Sequence, residues 1–255
     1  MSMKVFVLFV ATALVASQCQ GASFRSFPLK MKTEYGDESY TEIRCASWRL
    51  AAEALNIFGW ETIPEECVNA TAKYIEGKQY RSDSKTVNQQ AHFFARSLDV
   101  RENDAIVFSI DGTVLSNVPY YSQHGYGVEK FNSTRYDEFV NKGDAPALPE
   151  TLRNYRYLVN LGYKIVFLSG RHESKRAVTE ANLKAAGYHT WEKLILKDPS
   201  NNSPNALEYK KAERAKLVQQ GYRIVAVIGD QWTDLLGKPE ALRSFKLPNP
   251  MYYIY

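Results

Sequence analysis

This sequence predicts an α/β fold, a doubly wound parallel sheet preceded by a block of helices. Two patterns argue for it. From Asp104 onward, short, nearly continuous apolar runs alternate with amphipathic stretches of helical period, and such runs suit strands buried on both faces. Before residue 100, apolar residues recur every three or four positions, the spacing of one helix face. At 255 residues and 45% hydrophobic, the chain is long enough to bury a large core.

In chain order, the helical period predicts helices over 41–59, 64–77 and 84–98, with Gly59 and Gly77 as C-terminal stops. Strands are expected at 105–110, 164–168, 193–196 and 223–228. Helices over 150–161, 174–186 and 206–220 connect them and end at Gly162, Gly187 and Gly221.

Residues 1–21 follow a different logic. One positive charge at Lys4, an apolar run over 5–16 and small or polar residues over 17–23 describe a secretory signal peptide. Its apolar core is too short to span a bilayer, and no later run is long enough for an anchor. The mature chain, 22–255, is expected to be one soluble, lumenal domain, helical over 22–100 and α/β over 101–255. Cys19 falls at the cleavage zone, leaving Cys45 and Cys67; in a secreted chain this favours one disulfide over two buried thiols. Sequons at Asn69, Asn132 and Asn201 are candidate glycosylation sites, the last weakened by Pro204 directly after it. A net charge of +4 with mixed signs and no basic stripe excludes a nucleic-acid surface.

In doubly wound sheets, ligands bind beyond the carboxyl ends of the strands. "IVFSIDGTVLSN" puts Ser109, Asp111 and Thr113 at the first such end, and Ser169-Gly170-Arg171 follows the second strand. Gly229-Asp230-Gln231-Trp232-Thr233-Asp234 follows the last, and the helix before it carries Tyr209-Lys210-Lys211. Hydroxyls, carboxylates and an amine brought to one edge are the parts a phosphoryl-transfer site needs. The same residues also suit purely local work: Asp111 and Thr113 can satisfy turn donors, Asp230 can cap a helix, and Trp232 can pack.

This order of motifs resembles the haloacid dehalogenase superfamily, its class B acid phosphatase-like branch, and within that the plant vegetative storage proteins. The likeness extends from "EIRCASWRLAAEALN" through "FSIDGTVLSN", "VFLSGR" and "EYKKAER" to "VIGDQWTDLLG". It implies a Rossmann-like core, N-terminal helices and a small cap insertion near 119–146. It also implies that Asp111 is the acid/base and that Thr113, Ser169 and Lys210 hold phosphate, with Lys211 as a rival for Lys210. Mg²⁺ would be held by Asp111, Asp230 and Asp234. The nucleophilic aspartate of the family is here Ser109. A serine hydroxyl needs a base or metal to activate it, and a phosphoserine ester would hydrolyse far more slowly than an acyl phosphate. Of His92, His124, His172 and His189, only His172 lies beside a motif. Loss of the first carboxylate also weakens the Mg²⁺ site.

The resemblance therefore implies a storage protein, a reserve of amino acids and nitrogen with little or no phosphatase activity. The alternatives are a slow Mg²⁺-dependent acid phosphatase and a phosphate-binding protein without turnover. It further implies a homo- or heterodimer with a close relative, and a vacuolar rather than extracellular destination.

Overall fold

The computed structural model describes residues 37–254, so the signal-peptide segment and Cys19 lie outside the described residues. Three helices come first: α1 (Asp37–Glu53), α2 (Val68–Ile75) and α3 (Lys78–Arg96). Strand β1 (Asp104–Phe108) is followed by α4 (Val118–Tyr121), α5 (Ser133–Lys142) and α6 (Pro149–Asn160). Then come β2 (Lys164–His172), α7 (Arg176–Ala185), β3 (Lys193–Lys197), α8 (Ala206–Gln219), β4 (Arg223–Gly229), α9 (Trp232–Leu235) and β5 (Arg243–Lys246).

All strand pairs are parallel, in the order β3-β2-β1-β4-β5. The order reverses at β1, as a doubly wound sheet requires. Period-two alternation assigns each strand residue to a layer. Ile106 and Phe108 of β1, with Ile165 and Phe167 of β2, pack with Tyr155, Leu158 and Leu183 from α6 and α7. Ala105, Val107, Val166 and Leu168 face the other way, toward Tyr209 and Leu217 of α8. Each large side chain buried this fully contributes about 1.5–3 kcal/mol. Helices therefore cover both faces, and this explains the unbroken apolar runs in the strands.

The N-terminal helices pack on one flank. A Cys45–Cys67 disulfide, with Cα atoms 5.3 Å apart, ties α1 to the turn before α2. Buried Asn88 of α3 donates to Thr151 Oγ1 (3.3 Å) and accepts from Asn154 Nδ2 (3.1 Å), joining α3 to α6. Among the described residues, no helix is long and apolar enough to cross a membrane.

Several element ends differ from the expected ones. Helix α1 stops at Glu53 rather than near Gly59, because the backbone turns out of the helix at Leu55, which takes φ 61°; the Glu53 carboxylate accepts from Lys246 Nζ (2.9 Å) and Asn249 N (2.6 Å). Gly77 does stand at the end of α2, directly after its C-cap Glu76 with its amide donating to Tyr74 O (3.0 Å), and is at once the N-cap of α3; a Cβ there would meet Lys73 O at 2.3 Å. Strand β2 runs on to His172 with a register irregularity between Leu168 and His172, so Ser169, Gly170 and Arg171 belong to the strand. Irregularities of this kind re-aim side chains at strand ends. Edge strand β5, of sequence RSFK, was not expected because only Phe245 in it is fully buried.

Candidate active site

At the carboxyl end of β1, the Ser109 amide donates to Ile228 O (3.0 Å), extending the β1–β4 ladder by one residue. The chain then turns sharply: the amides of Thr113, Val114 and Leu115 all converge on Ile110 O. Gly112 sits in this turn at φ 72°, and a Cβ there would come within 2.6 Å of both the Tyr252 hydroxyl and Asp230 Oδ2. Only glycine fits that backbone and that space. The turn faces a cavity of about 580 Å³ whose lining includes Ser109, Asp111, Ser169, Arg171, Lys197 and Lys210.

Asp111 is held on every side. Arg171 Nε donates to Oδ2 (3.0 Å) and Nη2 to Oδ1 (2.7 Å), and the Tyr136 hydroxyl from α5 donates to Oδ1 (2.7 Å). Burial pushes the Asp111 carboxyl up, but the Arg171 charge and the hydrogen bonds from Arg171 and Tyr136 outweigh it, and the net pKa falls below the usual carboxylate value. Arg171 Nη1 also donates to Thr179 Oγ1 on α7 (3.2 Å), so the guanidinium is fixed from both ends.

Ser169 Oγ accepts from the Arg171 amide (3.1 Å) and lines the cavity. Thr113 does not offer its hydroxyl to the cavity: fully buried, it donates to Asp230 Oδ1 (2.8 Å). The other Asp230 oxygen takes three donors, Gln231 Nε2 (2.9 Å), Asn249 Nδ2 (2.7 Å) and the Tyr252 hydroxyl (3.0 Å). Burial and then the nearby Asp234 charge raise the Asp230 pKa, against the lowering effect of the Gln231 and Asn249 hydrogen bonds. Asp234 accepts from the Gln231 amide (3.0 Å) and is ion-paired with Lys210 in a nearly solvent-free contact. Lys211, the rival of Lys210, pairs instead with Glu208 (2.7 Å) and does not line the cavity.

Asp111, Asp230 and Asp234 lie at neighbouring strand ends, yet each carboxylate turns to protein donors. Among the described residues, no group of three or more His, Cys, Asp or Glu side chains would hold a metal ion. A hard cation such as Mg²⁺ takes oxygen ligands, and Asp111, Asp230 and Asp234 are the carboxylates at this edge that could supply them.

Of the histidines, His172 lines the cavity. Trp232 does not; its indole donates to Glu53 O (3.0 Å). Of the sequon residues, Asn69 is exposed on α2, exposed Asn132 caps α5 by accepting from the Arg135 amide (3.0 Å), and Asn201 accepts from the Ser203 amide (3.0 Å).

Sequence reasoning quoted Arg171 without giving it a role, and it missed Tyr136, Lys197 and Tyr252. The position of Arg171 two residues after Ser169 was a usable signal, because the two side chains share a strand face. The tyrosines come from segments remote in sequence and gave none.

Residues 30–255 match the model of a family described as HAD superfamily, subfamily IIIB (acid phosphatase). The chain is 69% identical to a stem 28 kDa glycoprotein of Glycine max, with all of both chains covered. It is 38% identical to vegetative storage protein 1 of Arabidopsis thaliana, covering 99% of each. Among solved structures, a class C acid phosphatase from Bacillus anthracis superposes with a TM-score of 0.61 at 23% identity, over 74% of this chain and 86% of that one. That likeness is one of fold.

Proposed function

The chain belongs to the subfamily IIIB acid phosphatases of the HAD superfamily, and from that premise we propose that it is a storage glycoprotein whose phosphatase chemistry is largely switched off. The observation that carries this proposal is Ser109, which stands on the cavity wall at the end of β1 where the family places its nucleophile. An aspartate there is already anionic and forms an acyl phosphate that water cleaves readily. A serine must first lose a proton, and among the described residues no base is hydrogen-bonded to its hydroxyl. Its phosphate ester would then be a stable monoester.

Asp111 adds to the handicap. Held as a carboxylate by Arg171 and Tyr136, it has no proton to give a leaving group near neutral pH. A second reading, an oxyanion-binding protein without turnover, is favoured by the cavity itself, which stays open and keeps a hydroxyl and several cations on its walls.

The storage role draws on the name of the Arabidopsis relative, and the glycoprotein character on that of the Glycine max relative. Glycosylation at Asn69, Asn132 or Asn201, passage through the secretory pathway to the vacuole, and a dimer of this chain with itself or a close relative belong to the same proposal.

The deciding experiment compares p-nitrophenyl phosphate turnover, with and without Mg²⁺, in the wild type and Ser109→Asp. The variant should be faster by an order of magnitude or more; equal rates would sink the switched-off site. Storage is tested separately by protein abundance under nitrogen surplus and withdrawal, where constant trace levels would count against it.

A further inference from the structure

We propose that the Asn132 sequon carries an N-linked glycan at the mouth of the strand-end cavity, where it limits the chamber to small ligands. The proposal rests on the glycoprotein reading above and says which of the three sequons bears on the site.

Asn132 is the sequon residue whose neighbours stand on the cavity wall. Phe131 and Ser133, on either side of it, both line the cavity, whereas no residue adjacent to Asn69 or Asn201 does. Asn132, Ser133 and Thr134 are all exposed, so the whole triplet lies open to the solvent at the rim.

The Asn132 amide divides its work between two atoms. Its Oδ1 accepts from the Arg135 amide (3.0 Å) and caps α5. Its Nδ2 makes no hydrogen bond among the described residues. A glycan is joined through Nδ2 and leaves Oδ1 an acceptor, so the cap and the sugar are compatible on one side chain.

The attachment point is fixed rather than free to swing aside. The Asn132 carbonyl accepts from the Tyr136 amide (3.0 Å) and the Tyr120 hydroxyl (3.4 Å). The Phe131 ring packs against that of Tyr136 (5.5 Å), which lies edge-on to Tyr120 (5.1 Å). Tyr136 is also the residue whose hydroxyl donates to Asp111 (2.7 Å). The first turn of α5 thus ties the sequon to the end of β1 through one side chain, and a sugar on Asn132 starts from the rim itself. A bulky, hydrated glycan there excludes large molecules by volume and lets small ones pass.

The test uses the full chain produced in plant cells. Peptide mapping after enzymatic deglycosylation should find Asn132 modified. Access is then read with Ser109→Cys, whose thiol stands on the cavity wall, by the rate at which maleimides of increasing size label the peptide holding residue 109. Trimming the folded protein with an endoglycosidase should speed the largest reagents several-fold and leave the smallest unchanged. Thr134→Ala removes the sequon, keeps the Asn132 cap and should reproduce the trimmed rates. Asn69→Gln removes a sequon that is off the cavity wall and should not change the rates.

An unmodified Asn132, or labelling rates equal with and without its glycan, would overturn the proposal. Unmodified asparagines at all three sequons would overturn the glycoprotein reading with it. Neither result touches the turnover comparison between wild type and Ser109→Asp, so a failure here is distinct from a failure of the switched-off site.

Discussion

Arg171 and Asp111 meet side-on, Nε to Oδ2 at 3.0 Å and Nη2 to Oδ1 at 2.7 Å, with side chains 4% and 19% exposed. A planar guanidinium matched to a carboxylate in this way is a strong pair geometry, and burial makes each partner depend on the other.

Asp111→Asn should therefore destabilise the protein by about 3–5 kcal/mol, because the buried guanidinium loses its counter-charge. Urea unfolding at pH 7 measures this. A loss below about 1 kcal/mol would mean that water reaches Arg171 freely.

The same pair sets a pH dependence. The Asp111 pKa is lower folded than unfolded, so its contribution is complete above the unfolded value of ~3.9 and is lost as pH falls through the folded one. The stability gap between wild type and Asp111→Asn should accordingly narrow below about pH 4. Melting series from pH 7 to pH 3 would show it, and a constant gap would contradict it.

Asp230 has the opposite sign. Its folded pKa is raised by burial, so its effect on stability favours low pH and diminishes as pH rises through the folded value. Asp230→Asn removes that titration but turns an amide NH₂ toward groups that are themselves donors. The variant should lose about 1–3 kcal/mol at pH 5 yet show a flatter stability profile above it. An unchanged profile would mean that another group titrates there.

Gly112→Ala would force a side chain into φ 72° and against Tyr252 and Asp230. The backbone alone costs of order 1–3 kcal/mol, and the overlap adds to it. A markedly lower melting temperature is expected, and a neutral result would show that the turn relaxes.

Reducing the Cys45–Cys67 bridge, or replacing both residues with serine, should cost about 3 kcal/mol for a crosslink spanning 22 residues. Thermal melts with and without reductant test this, and a change under about 1 kcal/mol would mean that the unfolded chain is already compact near the N-terminal helices.

The strands of the core were legible because burial on both faces leaves an unbroken apolar signal, as in Ala105 to Phe108. Strand β5 and helix α5 were not read; the first is a short edge with little apolar content, and the second buries only Phe139 and Val140. The strand-end residues were legible as a set, since topology alone brings Ser109, Ser169, Lys210 and Asp230 to one edge. Their pairings were not. Whether Thr113 serves the cavity or Asp230, and whether Lys210 faces a ligand or Asp234, depends on side-chain directions that one-dimensional spacing does not encode.

The hydrogen bonds from Asn249 and Tyr252 to Asp230 also make the chamber a long-range construction. Tyr252, Tyr253 and Ile254 form part of its wall, opposite residues of β1 and β2 that lie far away in sequence. The sheet is complete at β5, but the chamber is not. A chain cut directly after β5 would carry a folded sheet around an open, unlatched cleft.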